Sequence, residues 1–279
     1  MFSREKFRKK EYFHRLFSEP ASIDYWETVY DRRDSLGVTL RKRIRKALWW
    51  LDNSDLPKNS KILDVGCGAG KMTKEVGDRG YEVYGMDFSY NMIRKADVTC
   101  KVNDKSRVRF LQGDIESLPF KDSVFDVVLC LGVVTYLRSE KKALHEMSRV
   151  LKSGGTLILS ILNKFSLAKC LDISAFVTRR LQEITENGIR PFEKAGETKQ
   201  NYSGLRSYFI PGLRNSLKIA GFTELDCGAI RYGPLTFLGR KIFPEGININ
   251  ITTFLEKFSN LPLIMTFGDM CLFKVKKVR

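Results

Sequence analysis

Residues 61–71 read Lys61-Ile62-Leu63-Asp64-Val65-Gly66-Cys67-Gly68-Ala69-Gly70-Lys71, and their order decides the fold. An apolar run of strand length leads into three glycines at alternate positions, and a helix-compatible stretch follows at once. Glycines permit a bend that a Cβ would obstruct, and they let a ligand lie against bare main chain. The helix that starts behind them offers free N–H groups. Open α/β sheets bind ligands at this place, beyond the carboxyl ends of their strands.

The dinucleotide fingerprint is G-x-G-x-x-G. The glycines here are Gly66, Gly68 and Gly70, with Asp64 two residues before the first. A carboxylate at Asp64 repels a pyrophosphate but can orient the ammonium of an amino-acid ligand through main chain or water. With Cys67 as a small residue inside the turn, the stretch favours a phosphate-free, zwitterionic nucleoside over NAD.

Outward from the turn, strands and helices alternate. A second strand over 82–86 ends at Asp87, placed to accept both ribose hydroxyls, with Phe88 and Met92 as further contacts. A third strand over 108–111 leads to Gln112-Gly113-Asp114-Ile115. There Asp114 accepts the adenine amino group and Ile115 packs on the ring. A fourth over 125–131 closes beneath the ligand at Leu131, and a fifth spans 156–162. Alternation of this kind implies parallel pairing with right-handed crossovers. Before it, residues 3–17, 21–34 and 38–52 show helical spacing. In the last of these Leu40, Ile44, Ala47, Leu48 and Leu51 form a stripe, with the basic residues on the other face. After it come helices over 165–184 and 212–220, strands over 222–230 and 268–278, and a helix within 247–260.

Asp64–Gly70, Asp87, Gly113-Asp114, Phe125-Asp126-Val127-Val128 and Arg149-Val150-Leu151-Lys152-Ser153-Gly154-Gly155 resemble, in order and distance, the motifs of class I S-adenosylmethionine-dependent methyltransferases. Among these the chain looks like the small-molecule enzymes of ubiquinone and menaquinone biosynthesis. The resemblance covers about 60–163. It implies a Rossmann-like seven-stranded sheet of order 3-2-1-4-5-7-6, strand 7 antiparallel, with helices on both faces and an N-terminal helical extension. It also implies S-adenosyl-L-methionine as cofactor and S-adenosyl-L-homocysteine as product. On this reading residues 1–59 form a cap that contributes to the acceptor pocket. Residues 60–279 form the cofactor-binding domain, with a lid insertion around 164–210.

The cofactor brings the reactivity, so the chain must align an acceptor and exclude water. Many relatives carry Glu-His where Thr135-Tyr136 stands here. That departure weakens a histidine-driven O-methylation and any metal at such a glutamate. Tyr136 and His14 are the candidate catalytic residues, and Tyr25, Trp26 and Tyr30 are aromatics that can close over the sulfonium. The expected reaction is methyl transfer, at oxygen, to a small or lipid-linked biosynthetic acceptor.

The 279 residues carry 48 Lys and Arg against 32 Asp and Glu, a net +16. The excess is +5 over 1–60, +3 over 61–163 and +8 over 164–279. Basic flanks suit a solvated surface, an anionic membrane or nucleic acid. The 165–184 helix, with Arg179-Arg180 at one end, is the candidate membrane contact. RNA methylation is the alternative that the charge suggests. Against it, Cys130-Leu131-Gly132-Val133 stands where one type of nucleic-acid methyltransferase has Asn/Asp-Pro-Pro-aromatic. A non-catalytic cofactor-binding protein is the third reading. Six scattered cysteines and two histidines form no zinc pattern, so no metal is expected. The cysteine usage and the lack of a signal-peptide core or spanning segment place the chain in the cytoplasm, with peripheral membrane contact open.

Overall fold

The computed structural model describes residues 12–13, 15–100, 107–166, 205–233, 236–237, 240–259 and 261–278. Helix α1 (Pro20–Thr28) starts on a proline, tolerated where the first N–H has no helical partner, and a 3-10 turn, Val29–Asp31, follows it. Helix α2 (Ser35–Asp52) is capped by Asp34, whose carboxylate accepts the Gly37 N–H at 2.9 Å. Then come β1 (Lys61–Val65), α3 (Lys71–Gly77), β2 (Glu82–Asp87), α4 (Tyr90–Cys100), β3 (Val108–Gln112), β4 (Phe125–Leu131), α5 (Lys141–Val150) and β5 (Leu151–Leu162). The chain finishes with α6 (Ile210–Ile219), β6 (Phe222–Arg231), a hairpin of Thr236–Phe237 with Arg240–Lys241, α7 (Glu245–Glu256), α8 (Pro262–Phe267) and β7 (Met270–Lys277).

Seven strands form one sheet in the order β3-β2-β1-β4-β5-β7-β6. The first five are parallel, and β7 runs antiparallel to both β5 and β6. The Rossmann-like order expected from the motifs is therefore the observed one. Strand alternation divides the core into two layers. Leu63, Val65, Val128, Leu157 and Leu159 pack with Met147 of α5 and Leu213 of α6. Ile62, Val127, Leu129 and Ile158 pack with Ala47 and Leu51 of α2 and Met72 and Val76 of α3. Central strands covered on both faces read as near-continuous apolar runs, as Val127–Leu131 of β4 does.

Two expectations change. The fifth strand, expected over 156–162, begins at Leu151: Leu151 pairs Phe125 and Thr156 pairs Val127, so β5 advances five residues while β4 advances two. Gly154, at φ 76°, takes up the excess. The basic residues of α2 do not all face solvent, because Arg43 is buried at 5% exposure. It lies three residues after Leu40 and four before Ala47, so helical geometry puts it on the apolar stripe. The helix expected over 165–184 and most of the 164–210 insertion lie outside the described residues, as does the start of the helix expected over 3–17.

Candidate functional site

The glycine turn leaves β1 at Val65 and curls over the end of β2. The N–H groups of Gly66 and Cys67 both donate to the Met86 carbonyl, at 2.6 and 3.0 Å. Gly66, Gly68 and Gly70 have φ of 72°, 54° and 85°, a region that L side chains rarely adopt. A Cβ on Gly66 would collide with the Val133 side chain, whereas one on Gly68 would meet nothing within 4 Å. The turn thus touches the loop after β4 at Gly66 and is open above Gly68.

Asp87 locks this turn to β2. Its Oδ2 accepts the Gly68 N–H at 3.0 Å and its Oδ1 accepts the Ser89 N–H at 2.9 Å. Its carbonyl accepts the Gly113 N–H at 3.0 Å. One aspartate therefore joins the ends of β1, β2 and β3. Each carboxylate oxygen keeps lone-pair capacity for a ligand hydroxyl. Burial raises its pKa, and the N–H groups of Ser89 and Gly68 oppose that rise.

A cavity of about 180 Å³ opens above these strand ends. Gly66, Cys67, Gly68, Asp87, Phe88, Met92, Asp114, Ile115, Leu131 and Tyr136 all line it, as the sequence analysis expected. Asp64, Gly70 and Tyr25 do not stand on its wall. Asp64 shares the strand face of Ile62, toward α3, where its Oδ2 accepts the Thr73 hydroxyl at 2.6 Å. Gly70 starts α3, and a Cβ there would come within 3.0 Å of Ala96, so it sets the approach of α3 to α4. Tyr25 stands edge-on to Trp26 at 5.4 Å, and it is Trp26 and Tyr30 that reach the cavity. His14 lies outside the described residues.

Residues not foreseen as site residues complete the wall. Phe13 and Phe17 arrive from the N-terminal segment and meet Tyr136 edge-on at 5.0 and 5.1 Å. Phe17 also meets Phe88 at 6.0 Å. The segment is tied down by the Ser89 hydroxyl, which donates to the Phe17 carbonyl at 2.9 Å, and by the Asn91 amide, which donates to the Ser18 carbonyl at 2.9 Å. The other addition is Arg43. A Cβ on Gly132 would collide with its Nη1, so Gly132, at φ 84°, makes room for the guanidinium. Its Nη2 donates to the Tyr30 hydroxyl at 3.4 Å, and its Nε is buried with no partner. A buried cation is costly unless an anion meets it. Its place on the apolar stripe of α2 was the signal available in the sequence.

Burial holds Asp64 at about 6, against an ordinary 3.8, despite the Thr73 hydroxyl. Such an acid is still protonated in the folded chain when the unfolded chain has already ionised. The folded state therefore loses stability as pH rises from about 4 to about 6. Asp64→Asn keeps an acceptor for Thr73 and removes this loss. The variant's Tm at pH 7 is expected to exceed the parent's by a few degrees, the gap closing by pH 4. A gap unchanged across this range would contradict the assignment. Burial, then the charges of Asp87 and Asp64, push the Cys67 thiol well above its ordinary value, which disqualifies it as a nucleophile.

Among the described residues, no cluster of His, Cys, Asp and Glu suits a metal ion, and no helix is long and apolar enough to cross a membrane.

Residues 63–159 match the family model described as a methyltransferase domain. A putative methyltransferase of Bacillus subtilis, YqeM, is 32% identical over 131 residues, 46% of this chain and 52% of that protein. The chain thus spans about half the length of that relative. A demethylmenaquinone methyltransferase of Geobacillus kaustophilus is 30% identical over 239 residues, 81% of this chain and 94% of the relative. The crystal structure of magnesium protoporphyrin IX methyltransferase from Synechocystis PCC 6803 with bound SAH superposes with a TM-score of 0.62. It covers 96% of this chain and 99% of that one at 16% identity, a likeness of fold. Sheet order, glycine turn and a near full-length relative agree: the chain belongs to the class I S-adenosylmethionine-dependent methyltransferases.

Proposed function

We propose that the chain transfers the methyl group of S-adenosylmethionine to an oxygen of a small, lipophilic, ring-bearing biosynthetic acceptor. One observation carries this reading: the cavity is polar where the motif residues line it, and aromatic on the side of Phe13, Phe17, Trp26 and Tyr136.

The polar side fits the cofactor part by part. Arg43 would hold the carboxylate of the methionine portion, which supplies the anion its buried guanidinium lacks. Asp87 would accept the ribose hydroxyls, as its position at the end of β2 favours. Asp114 and Ile115 would take the adenine, one at its amino edge and the other on its face. Met92 would pack beneath the nucleoside. Bound there, S-adenosylmethionine supplies a methyl carbon on a positively charged sulfur.

The aromatic side excludes water and offers flat apolar walls. Tyr136 is wedged between Phe13 and Phe17 and bounds the acceptor half of the cavity. Its part on this reading is to fix the acceptor ring. Holding the acceptor in line with the methyl carbon can contribute about 7–11 kcal/mol. Lys71 and Arg138 also line the cavity and favour an acceptor that reacts as an oxyanion. An enol or phenol needs little help from a protein base. The demethylmenaquinone methyltransferases among the relatives support a lipophilic quinone-type acceptor; they bear on its class and not on the atom methylated.

The test is a methyl-labelled cofactor incubated with the chain and a cell extract, then resolved into lipid, small-molecule and RNA fractions. Label is expected in the lipid or small-molecule fraction, on oxygen. Label confined to RNA would overturn the reading.

A further inference from the structure

Helix α7 is apolar on its outer side as well as its inner one, where Leu255 packs on the main core. Its inward side carries Asn248 and Thr252, buried at 3% and 9% exposure, and the acids Glu245 and Glu256 also turn toward α2. Glu245 accepts the Ser35 N–H at 2.6 Å, and Glu256 pairs with Lys42 of α2. Asn248 donates to the Phe243 carbonyl at 2.8 Å. The outward side carries Ile247, Phe254 and, in the following turn, Phe258, at spacings of seven and four. Those spacings put them along one stripe. Phe254 and Phe258 meet edge-on at 5.6 Å in full view of solvent.

The apolar face continues into α8. The turn between the helices is closed by hydrogen bonds from Ser259 to Glu256 and from Leu261 to Phe258. Leu261, Leu263 and Phe267 are exposed beyond it, Leu263 at 71%. In total, eight of the 17 exposed large apolar side chains among the described residues fall within 242–267. Single exposed apolar residues need no explanation, but a concentration of this kind marks an interaction surface.

We propose that α7, α8 and the turn joining them dock on the surface of an anionic lipid bilayer. Charge selects this partner over the alternatives. Both acids of α7 are held inward by their own partners, while Lys257 is exposed at its outer end. Within 242–267 Lys257 is the one Lys or Arg, against Glu245 and Glu256, so the attraction rests on the chain as a whole, which carries +16. A second copy of so basic a chain is repelled, whereas an anionic bilayer attracts it. The 12 residues of α7 extend for about 18 Å. That is too short to span a hydrocarbon core of about 30 Å, so the pair lies in the interface plane. The surface hangs from the helix that carries Arg43, so a lipophilic acceptor and the docking face share one scaffold. The docking itself does not depend on the acceptor.

The test uses the full chain in vesicle flotation at low salt. One set of vesicles has equal parts phosphatidylglycerol and phosphatidylcholine, and the other is phosphatidylcholine alone. The chain is expected to float with the anionic vesicles and to be released by salt. The triple variant Phe254→Ser, Phe258→Ser, Leu263→Ser replaces exposed side chains only. Its partitioning is expected to drop at least about tenfold, with circular dichroism, Tm and S-adenosylhomocysteine affinity unchanged. Three results would overturn the proposal. The first is a parent chain that does not bind anionic vesicles. The second is binding that the substitutions leave unaltered. The third is a dimer, seen by light scattering and dissolved by the substitutions, which assigns the face to a second copy. None of these readouts involves methyl transfer, so failure here leaves the proposed reaction standing.

Discussion

Asp87→Ala is expected to weaken S-adenosylhomocysteine binding by roughly a hundredfold or more, the largest single effect in the site. Charged hydrogen bonds are worth about 1.5–3 kcal/mol each, and two are lost with the ribose hydroxyls. Every 1.4 kcal/mol is about tenfold in Kd. The substitution also releases the N–H groups of Gly68 and Ser89, so the turn loses its tie to β2. Asp87→Asn separates the two contributions. Its carbonyl oxygen can still serve one N–H, but its amide no longer accepts two hydroxyls. Calorimetry should therefore place Asn between Asp and Ala. An alanine variant that is folded by circular dichroism and binds within threefold of the parent would remove the cavity's assignment to a nucleoside.

Arg43→Met is expected to act in opposite directions on affinity and stability. Methionine fills a comparable volume without the charge. The apo chain no longer buries a guanidinium whose Nε has no partner, and a buried polar group without its hydrogen bond is costly. Its Tm should rise. S-adenosylhomocysteine should bind about 10–100 times more weakly, because a charge-assisted contact to its carboxylate is gone. Adenosine, which has no carboxylate, should bind the two proteins alike. This pairing separates a cofactor contact from a structural role: a structural arginine would lower Tm when removed and leave the ligand comparison flat. A variant that is less stable and equally competent would refute the assignment.

The sheet could be read from the sequence because its signals are local. Strand β4 is apolar apart from Asp126, the glycines follow β1 at once, and Asp64, Asp87 and Asp114 stand at or near the ends of β1, β2 and β3. The cavity was legible only where those same motifs build it. From sequence, Asp64 reads as orienting a ligand ammonium through main chain or water. Its parity with Ile62 already pointed it at α3, where Thr73 waits. Arg43 was assigned to the solvated face by its charge, although its spacing from Leu40 and Ala47 put it on the buried one. Phe13 and Phe17 could not be placed from sequence. Their approach to Tyr136 spans more than a hundred residues and depends on where Ser89 and Asn91 catch the N-terminal segment. The sequence places a helix within 247–260 but not its exposed apolar stripe, because an outward stripe is distinguishable from an inward one only when its neighbours are known.

The antiparallel insertion of β7 has a consequence for how the chain is made. Strand β6 pairs with no strand of the main sheet except β7, which begins at Met270, 39 positions after β6 ends at Arg231. On the ribosome, at roughly 5–20 residues per second, β6 waits about two to eight seconds with a bare ladder, and the outer edge of β5, which ends at Leu162, about five to twenty-two seconds. Unpaired strand edges invite pairing with other chains. The five parallel strands that build the cavity are all synthesised before that interval. A nascent chain can thus have its cofactor cradle in place while its opposite border is still adhesive, which makes this border the natural target for a chaperone during translation.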